Sequence, residues 1–157
     1  MGREIERKFL VTSDRWRPLV TQTLTIRQGY LSSNSKATVR VRLLDDQRAV
    51  LTLKGAMEGI SRAEFEYPIP YEDAVELYTI AEPHTLGKQR HLVPFGGLVW
   101  EVDVFEGRHQ GLVIAEVELD SADQQVQLPP WVGEEVSADD RYFNASLARS
   151  DGPPEPA

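Results

Sequence analysis

The chain alternates apolar and polar residues with a period of two along most of its length. This pattern is typical of β-strands that bury one face. It predicts eight strands, at residues 3–11, 21–31, 37–44, 48–55, 61–69, 85–94, 98–105 and 112–119. Short turn sequences such as Ser-Ser-Asn-Ser, Asp-Asp and Gly-Gly separate several of them. Short turns between successive strands favour an antiparallel sheet or barrel.

Three segments carry helix signals. Residues 71–78 place acids in the first turn and apolar residues at helical spacing, which predicts a helix after the fifth strand. Ser121 and Ser137 each begin a sequence that matches a capping box. They predict a short helix that ends before Pro129 and a C-terminal helix at residues 141–148. We interpret residues 1–150 as one domain and the proline-rich residues 151–157 as a disordered tail.

The polar positions of the strands are mostly charged and are sorted by sign. The first strand is mainly acidic, the third and fourth are basic, and the seventh and eighth are acidic. The residues are Glu4, Glu6, Lys8, Arg40, Arg42, Lys54, Arg62, Glu64, Glu66, Lys88, Arg90, Glu101, Asp103, Glu116 and Glu118. A solvated face usually mixes both signs, because like charges two residues apart repel. The sorting suggests an external partner for each sign, and an incidental charged face is the alternative.

Two architectures can hold these charges. In an open sheet, the apolar face packs under helices and the charged face meets water. In a closed barrel, the apolar side lies outward and the charged side lines a tunnel. Carboxylate pairs suit Mg²⁺ or Mn²⁺, and arginine and lysine suit phosphate. The residues therefore indicate a metal-dependent polyphosphate site and leave both architectures open.

Composition narrows the classes of function. The 157 residues carry a net charge of −8, which disfavours binding to nucleic acid or to anionic membranes. The chain has no apolar run near about 18 residues and no leader sequence, so we expect a soluble, cytoplasmic protein. It has no cysteine, which excludes disulfides and thiolate metal sites. A homodimer is compatible with the sequence, but no residue demonstrates one.

Nine motifs in chain order connect the sequence with a known family. They are EIERKFL at 4–10, IRQGYL at 26–31, VRVRL at 39–43, LTLKG at 51–55, EFEYPI at 64–69, GKQRH at 87–91, WEVDVFEG at 100–107, AEVEL at 115–119 and RYFNASLA at 141–148. Together they resemble the CYTH superfamily, the triphosphate tunnel metalloenzymes, whose ExExK signature is the first motif. The resemblance implies a mainly β (α+β) fold: an eight-stranded antiparallel closed β-barrel forming a tunnel, with helices packed outside.

The resemblance also implies roles for single residues. The metal ligands, for Mg²⁺ or Mn²⁺ with two ions expected, are Glu4, Glu6, Glu116 and Glu118. The substrate-binding cations are Lys8, Arg40, Arg42, Lys54, Lys88 and Arg90, and the further acidic tunnel residues are Glu64, Glu66 and Asp103. For catalysis, we expect Lys8 or Lys88 to orient the attacking water. Glu116 would lie near the metal that activates this water.

The implied activity is metal-dependent hydrolysis of a triphosphate. A short chain without a basic RNA-binding patch, and with little evident aromatic platform for a base, favours inorganic tripolyphosphate. A CYTH-type adenylate cyclase or thiamine triphosphatase is the enzymatic alternative, and a non-catalytic polyphosphate-binding module is the alternative of another class. The two carboxylate pairs argue against such a module. We interpret Gln28 and Tyr30 as packing residues.

Overall fold

A computed structural model describes residues 2–154, and these residues form nine strands and two α-helices. The strands are β1 (Arg3–Val11), β2 (Gln22–Ser33), β3 (Ala37–Leu44), β4 (Arg48–Gly55), β5 (Ser61–Ile69), β6 (Thr85–Phe95), β7 (Leu98–Phe105), β8 (Val113–Glu118) and β9 (Val132–Glu135). The α-helices are α1 (Tyr71–Ala81) and α2 (Asn144–Leu147). Short 3-10 helices lie at Arg17–Leu19, Gly107–His109 and Asp140–Tyr142.

Strands β1 to β8 form a closed antiparallel barrel. Their order is β5-β4-β3-β2-β6-β7-β8-β1, and β1 returns to pair with β5. This closing contact is short, because only residues 3–5 of β1 oppose residues 61–63 of β5. Farther along β1, Phe9 opposes Glu135 of β9. The predicted eight-stranded barrel is confirmed, and β9 is an additional strand that the periodicity does not predict.

The main apolar core lies outside the barrel wall. Phe9 and Trp100 face away from the barrel interior, and their ring centroids are 5.6 Å apart. Trp131 packs edge-on against Trp100 at 5.9 Å, and Trp16 belongs to the same buried cluster. Since the apolar side chains are buried outside, the interior of the barrel is left to the charged residues.

Helix α1 covers another part of the outer wall. Its Ala74 packs with Val41 and Leu43 of β3, and this confirms the helix predicted at residues 71–78. Gly29 of β2 allows the close approach, since a Cβ added there would lie only 2.7 Å from the Cβ of Ala81. A side chain at this position would therefore push the helix away from the sheet.

The helix predicted after Ser121 is wrong. The segment forms a turn in which the Ser121 hydroxyl donates to Asp123 and the side chain of Gln124 accepts from the backbone N–H of Asp120. These local bonds satisfy the polar groups without a helix. No helix in the part of the chain that the structure describes is long and apolar enough to cross a membrane.

The C-terminal helix predicted at residues 141–148 is divided in two. Phe143 has an extended backbone (φ −67°, ψ 138°) and separates the 3-10 helix from α2. Asp139, two residues after Ser137, accepts from the backbone N–H of Arg141 and caps the 3-10 helix. The last three residues of the predicted tail, 155–157, lie outside the described residues, so the disorder of the tail stays a prediction.

Candidate active site

A cavity of about 490 Å³ lies inside the barrel. Side chains alternate along a strand, so every second residue of each strand faces this cavity. All the predicted site residues except Asp103 lie on its wall, namely Glu4, Glu6, Lys8, Arg40, Arg42, Lys54, Glu64, Glu66, Lys88, Arg90, Glu116 and Glu118. The closed barrel thus brings together charges that come from six separate strands of the sequence.

Glu4 and Glu64 share one lysine. The Nζ of Lys54 lies 2.9 Å and 3.1 Å from the two carboxylate oxygens of Glu4 and 3.5 Å from Oε2 of Glu64. Burial would raise the pKa of Glu4, but Lys54 outweighs burial and holds this pKa below its ordinary value. Burial and the neighbouring Glu4 raise the pKa of Glu64 to about 7. With two carboxylates and one lysine, this part of the cavity wall can accept another cation.

Strands β1 and β8 bring a second group of acids together. Glu6 lies opposite Glu118, and Lys8 lies opposite Glu116. Burial, followed by the charges of Glu116 and Glu4, raises the pKa of Glu6 well above its ordinary value. Burial acts in the same direction on Glu116, but Lys8 at 3.6 Å and other cations outweigh it and hold the pKa of Glu116 far below its ordinary value. Glu116 is therefore ionised, whereas its neighbour Glu6 favours the protonated form.

The acids fit a divalent cation by their chemistry. Mg²⁺ and Mn²⁺ prefer oxygen ligands, and a cation bound here would offset both the burial and the neighbouring carboxylates that raise the pKa of Glu6. Among residues 2–154, no three Asp, Glu or His side chains already converge as a metal-ligand set. Glu4 is instead paired with Lys54, and Glu116 with Lys8. A cation that binds here would compete with these two lysine contacts.

Arg40 and Arg42 form a cationic wall on β3. The Nε of Arg42 donates to Gln28 at 3.0 Å, and Nη2 of Arg40 lies 3.9 Å from Glu66. The buried Nε of Arg40 has no hydrogen-bond partner among the described residues. Burial and the neighbouring guanidinium groups of Arg40 and Arg90 lower the pKa of Arg42 to about 10. Crowded guanidinium groups with an unused donor favour the binding of an anion.

Asp103 lies behind the wall and anchors two cations. It accepts from Nε and Nη2 of Arg90 at 2.8 Å and 2.9 Å, and its Oδ2 lies 2.7 Å from Nζ of Lys88. Burial opposes the ionised form, but Arg90 and Lys88 together hold the pKa of Asp103 below its ordinary value. Burial also lowers the pKa of Lys88 to about 7, despite the nearby carboxylate.

Tyr30 and Asn144 also line the cavity, although the site residues predicted from the sequence do not include them. Tyr30 in addition packs in a buried apolar cluster, as predicted. Tyr30 lies on the wall, and its hydroxyl accepts from Nε2 of Gln28 at 2.9 Å. Asn144 enters from the C-terminal segment, where its Oδ1 accepts from Nζ of Lys88 at 2.8 Å. The RYFNASLA motif marked this segment, but a sequence does not show which of its side chains reaches the barrel interior.

Comparison with known proteins gives a consistent result. The CYTH domain family matches residues 2–149. An inorganic triphosphatase of Acetivibrio thermocellus is 42% identical over 151 residues, which cover 96% of this chain and 96% of the relative. An inorganic triphosphatase of Nitrosomonas europaea is 36% identical over 151 residues, covering 94% of this chain and 97% of the relative.

The structural comparison agrees with the sequence comparison. The crystal structure of an inorganic triphosphatase matches the barrel with a TM-score of 0.68 and 34% identity, covering 94% of this chain and 95% of that chain. The resemblance found in the nine motifs is thereby confirmed. The chain belongs to the CYTH domain family.

Proposed function

We propose that this protein is a metal-dependent triphosphatase that hydrolyses inorganic tripolyphosphate to pyrophosphate and phosphate. The observation that carries the proposal is the meeting of two incomplete charge sets in one enclosed cavity. Arg40 has an unused buried donor and Arg42 is crowded by like charges, while Glu6 resists ionisation beside other carboxylates. A polyphosphate together with divalent cations satisfies both sets at once. The two inorganic triphosphatases at 42% and 36% identity support the same reaction.

The metal requirement follows from the acids of β1 and β8. Glu4, Glu6, Glu116 and Glu118 would hold Mg²⁺ or Mn²⁺, and two ions match the two carboxylate pairs. When bound, such a cation neutralises phosphate oxygens and lowers the pKa of a coordinated water. Glu64 and Glu66 extend the acidic part of the wall toward β4 and β5.

The cations of the wall bind and orient the substrate. Phosphoryl transfer depends on in-line positioning and on neutralising charge, more than on covalent catalysis. Arg40, Arg42, Lys54 and Arg90 supply fixed donors for the phosphate oxygens. The barrel wall already fixes Arg40 and Arg42, so these two side chains need little reorganisation when the substrate binds. Lys54 would exchange its contact with Glu4 for the substrate when a metal ion takes the carboxylate.

The two candidate lysines differ in protonation. Burial opposes the charge of Lys8, but Glu116 and Glu6 outweigh it and raise the pKa, so this side chain remains a cation for phosphate. Lys88, with a pKa of about 7, is partly a neutral amine at neutral pH. The amine can orient the attacking water and take its proton. The water oxygen then bonds to the terminal phosphorus as the bridging P–O bond breaks, and pyrophosphate leaves.

The wall favours a small inorganic substrate over a nucleotide. In the described chain, the aromatic side chains that line the cavity are Tyr30 and Phe143. The ring of Phe143 lies 5.4 Å from Nζ of Lys8, and the hydroxyl of Tyr30 is bonded to Gln28. Lys8 lies over the ring of Phe143, and Tyr30 is only 4% exposed, so neither ring offers a free platform for a base.

The proposal is tested by phosphate release from tripolyphosphate, ATP, thiamine triphosphate and pyrophosphate, each with Mg²⁺, Mn²⁺ or EDTA. We expect metal-dependent release that is fastest with tripolyphosphate. Formation of cyclic AMP from ATP would contradict the proposed hydrolysis and show that the protein is a cyclase. Tight binding of tripolyphosphate without turnover of any substrate would contradict it as well and show that the protein is a binding module.

Two variants test the assignment of the acids. Glu4→Ala and Glu116→Ala should each lower kcat by at least about 100-fold, because each removes a carboxylate from the proposed metal site. Glu76→Ala, on the exposed face of α1, is the matched control and should leave kcat unchanged. Circular dichroism checks that all three variants are folded. If Glu4→Ala or Glu116→Ala kept near wild-type turnover, the proposed role of these acids in metal binding would be wrong.

A further inference from the structure

The C-terminal segment, defined here as residues 140–150, forms one end of the cavity. Phe143 and Asn144 lie on the cavity wall, whereas Tyr142 and Leu147 pack into a buried cluster with Phe105 of β7. The segment is therefore wedged between the apolar core and the charged interior. Its two short helices contain too few residues to hold a conformation without such packing.

This segment contacts both candidate catalytic lysines. Nζ of Lys88 donates to Oδ1 of Asn144 at 2.8 Å, and Nζ of Lys8 donates to the carbonyl of Tyr142 at 3.2 Å. Oδ1 of Asn144 also accepts from Nε2 of Gln28 at 3.3 Å, which fixes the orientation of the amide. Asn144 and Asp103 thus hold the nitrogen of Lys88 from two sides.

Arg108 fastens the segment to the barrel. Its Nη2 donates to the carbonyls of Thr85 at 2.8 Å and of Ala148 at 2.7 Å, and its Nε donates to the carbonyl of Ser150 at 2.7 Å. The last carbonyls of a helix lack partners within the helix, and a guanidinium is well suited to satisfy them. Thr85 lies three residues before Lys88 in β6, so the same guanidinium joins the segment to the strand that carries Lys88.

We propose that Asn144 is a positioning residue for Lys88, and that Arg108 acts through it by holding the C-terminal segment in the mouth of the barrel. The proposal rests on the triphosphatase function proposed above. When Asn144 and Asp103 take two contacts of the Lys88 nitrogen, its free lone pair or third hydrogen points to the cavity, where the attacking water would lie. Without Asn144, the side chain of Lys88 can rotate about Asp103 and lose this direction.

The first test compares Asn144→Leu with wild type for tripolyphosphate hydrolysis. The leucine has a similar size but accepts no hydrogen bond. We expect kcat to fall about tenfold, the effect of losing one hydrogen bond, with KM changed by less than about threefold. Asn144→Asp keeps an acceptor for Lys88 but adds a negative charge beside it, so the rise of kcat with pH should move to higher pH, and above that rise kcat should exceed that of Asn144→Leu. Ser150→Ala is the structural control, because it loosens the same region without touching either lysine.

A double-mutant cycle separates positioning from mere stability. In a Lys88→Arg background, Asn144→Leu should change kcat by less than about twofold, because the group it positions is no longer present. Likewise, Arg108→Ala should lower kcat in wild type but have little further effect on Asn144→Leu. Equal effects of Asn144→Leu in both backgrounds, or wild-type kcat for Asn144→Leu, would overturn the inference alone. Absence of triphosphatase activity in wild type would overturn the proposed function, and the inference with it.

Discussion

Replacing Asp103 with asparagine tests whether the buried cations are stabilised as the structure indicates. The side chain is fully buried, and it bonds to Arg90 through two oxygens and lies 2.7 Å from Lys88. Asparagine has nearly the same shape but no charge. Both cations therefore lose their buried counter-ion, while the packing of the barrel wall is preserved.

The magnitude follows from what each cation retains. Breaking a buried ion pair and leaving its partner charged costs about 3–5 kcal/mol. Arg90 keeps Glu101 at 3.2 Å, and Lys88, with a pKa of about 7, can lose its proton. We therefore expect the lower end of the range, a loss of about 3 kcal/mol, or a fall in Tm of about 6–12 °C for a chain of this length.

Urea unfolding followed by tryptophan fluorescence measures this loss. Trp16, Trp100 and Trp131 are each at most 1% exposed, so unfolding changes their surroundings strongly. The pKa of Asp103 is depressed in the folded state, so its contribution exists above the unfolded pKa and is lost as the pH falls through the folded value. The difference between variant and wild type should therefore shrink below about pH 4. Asp120→Asn, at an exposed position, is the control.

Either of two results would refute this reasoning. One is an Asp103→Asn variant whose stability at neutral pH matches that of wild type. The other is a loss that stays constant as the carboxylate of wild type becomes protonated, since such a loss could not come from its charge.

Two further predictions concern the proposed base and the outer wall. The kcat/KM for tripolyphosphate should rise with pH through about 7, because burial lowers the pKa of Lys88 to that value. The Lys88→Arg variant should lose this rise. A flat pH profile in wild type would contradict the role of Lys88 as the base. Gly29→Ala should lower the free energy of unfolding by about 1–3 kcal/mol through its contact with Ala81, with kcat unchanged because residue 29 packs against α1. A fall in kcat without a fall in Tm would contradict that prediction, and both quantities come from the same purified variant.

The inward-facing charges could be predicted because a strand fixes the side of every second residue. Arg40 and Arg42 must share a face with each other and not with Val41, whatever the rest of the fold. The same rule placed Glu116 and Glu118 together. Closure into a barrel, however, came from the family resemblance, since the alternation alone fits an open sheet equally well.

The parts of the fold and of the site that the sequence did not predict depend on contacts between distant residues. Strand β9 has four residues, which is too short for a periodic signal, and it exists only through its backbone pairing with the distant β1, beside which Arg7 makes two hydrogen bonds to Glu135. Asn144 reaches Lys88 only because Phe143 interrupts the helix predicted from the local sequence. Local propensity favours one continuous helix there, and the tertiary packing of Tyr142 and Leu147 overrides it.

Strand β1 closes the ring of the barrel. It pairs with β5 through residues 3–5 and with β8 through residues 6–10, so Glu6 and Lys8 reach their final neighbours only after residue 118 has been added to the chain. Strands β2 to β5 can pair with their sequence neighbours before that, because short turns connect them. Contacts across such long sequence separations form slowly, and until they form the edges of β5 and β8 stay open to other chains. Strand β1 thus supplies two acids of the cavity and, once the ring is complete, covers the strand edges at which other chains could pair.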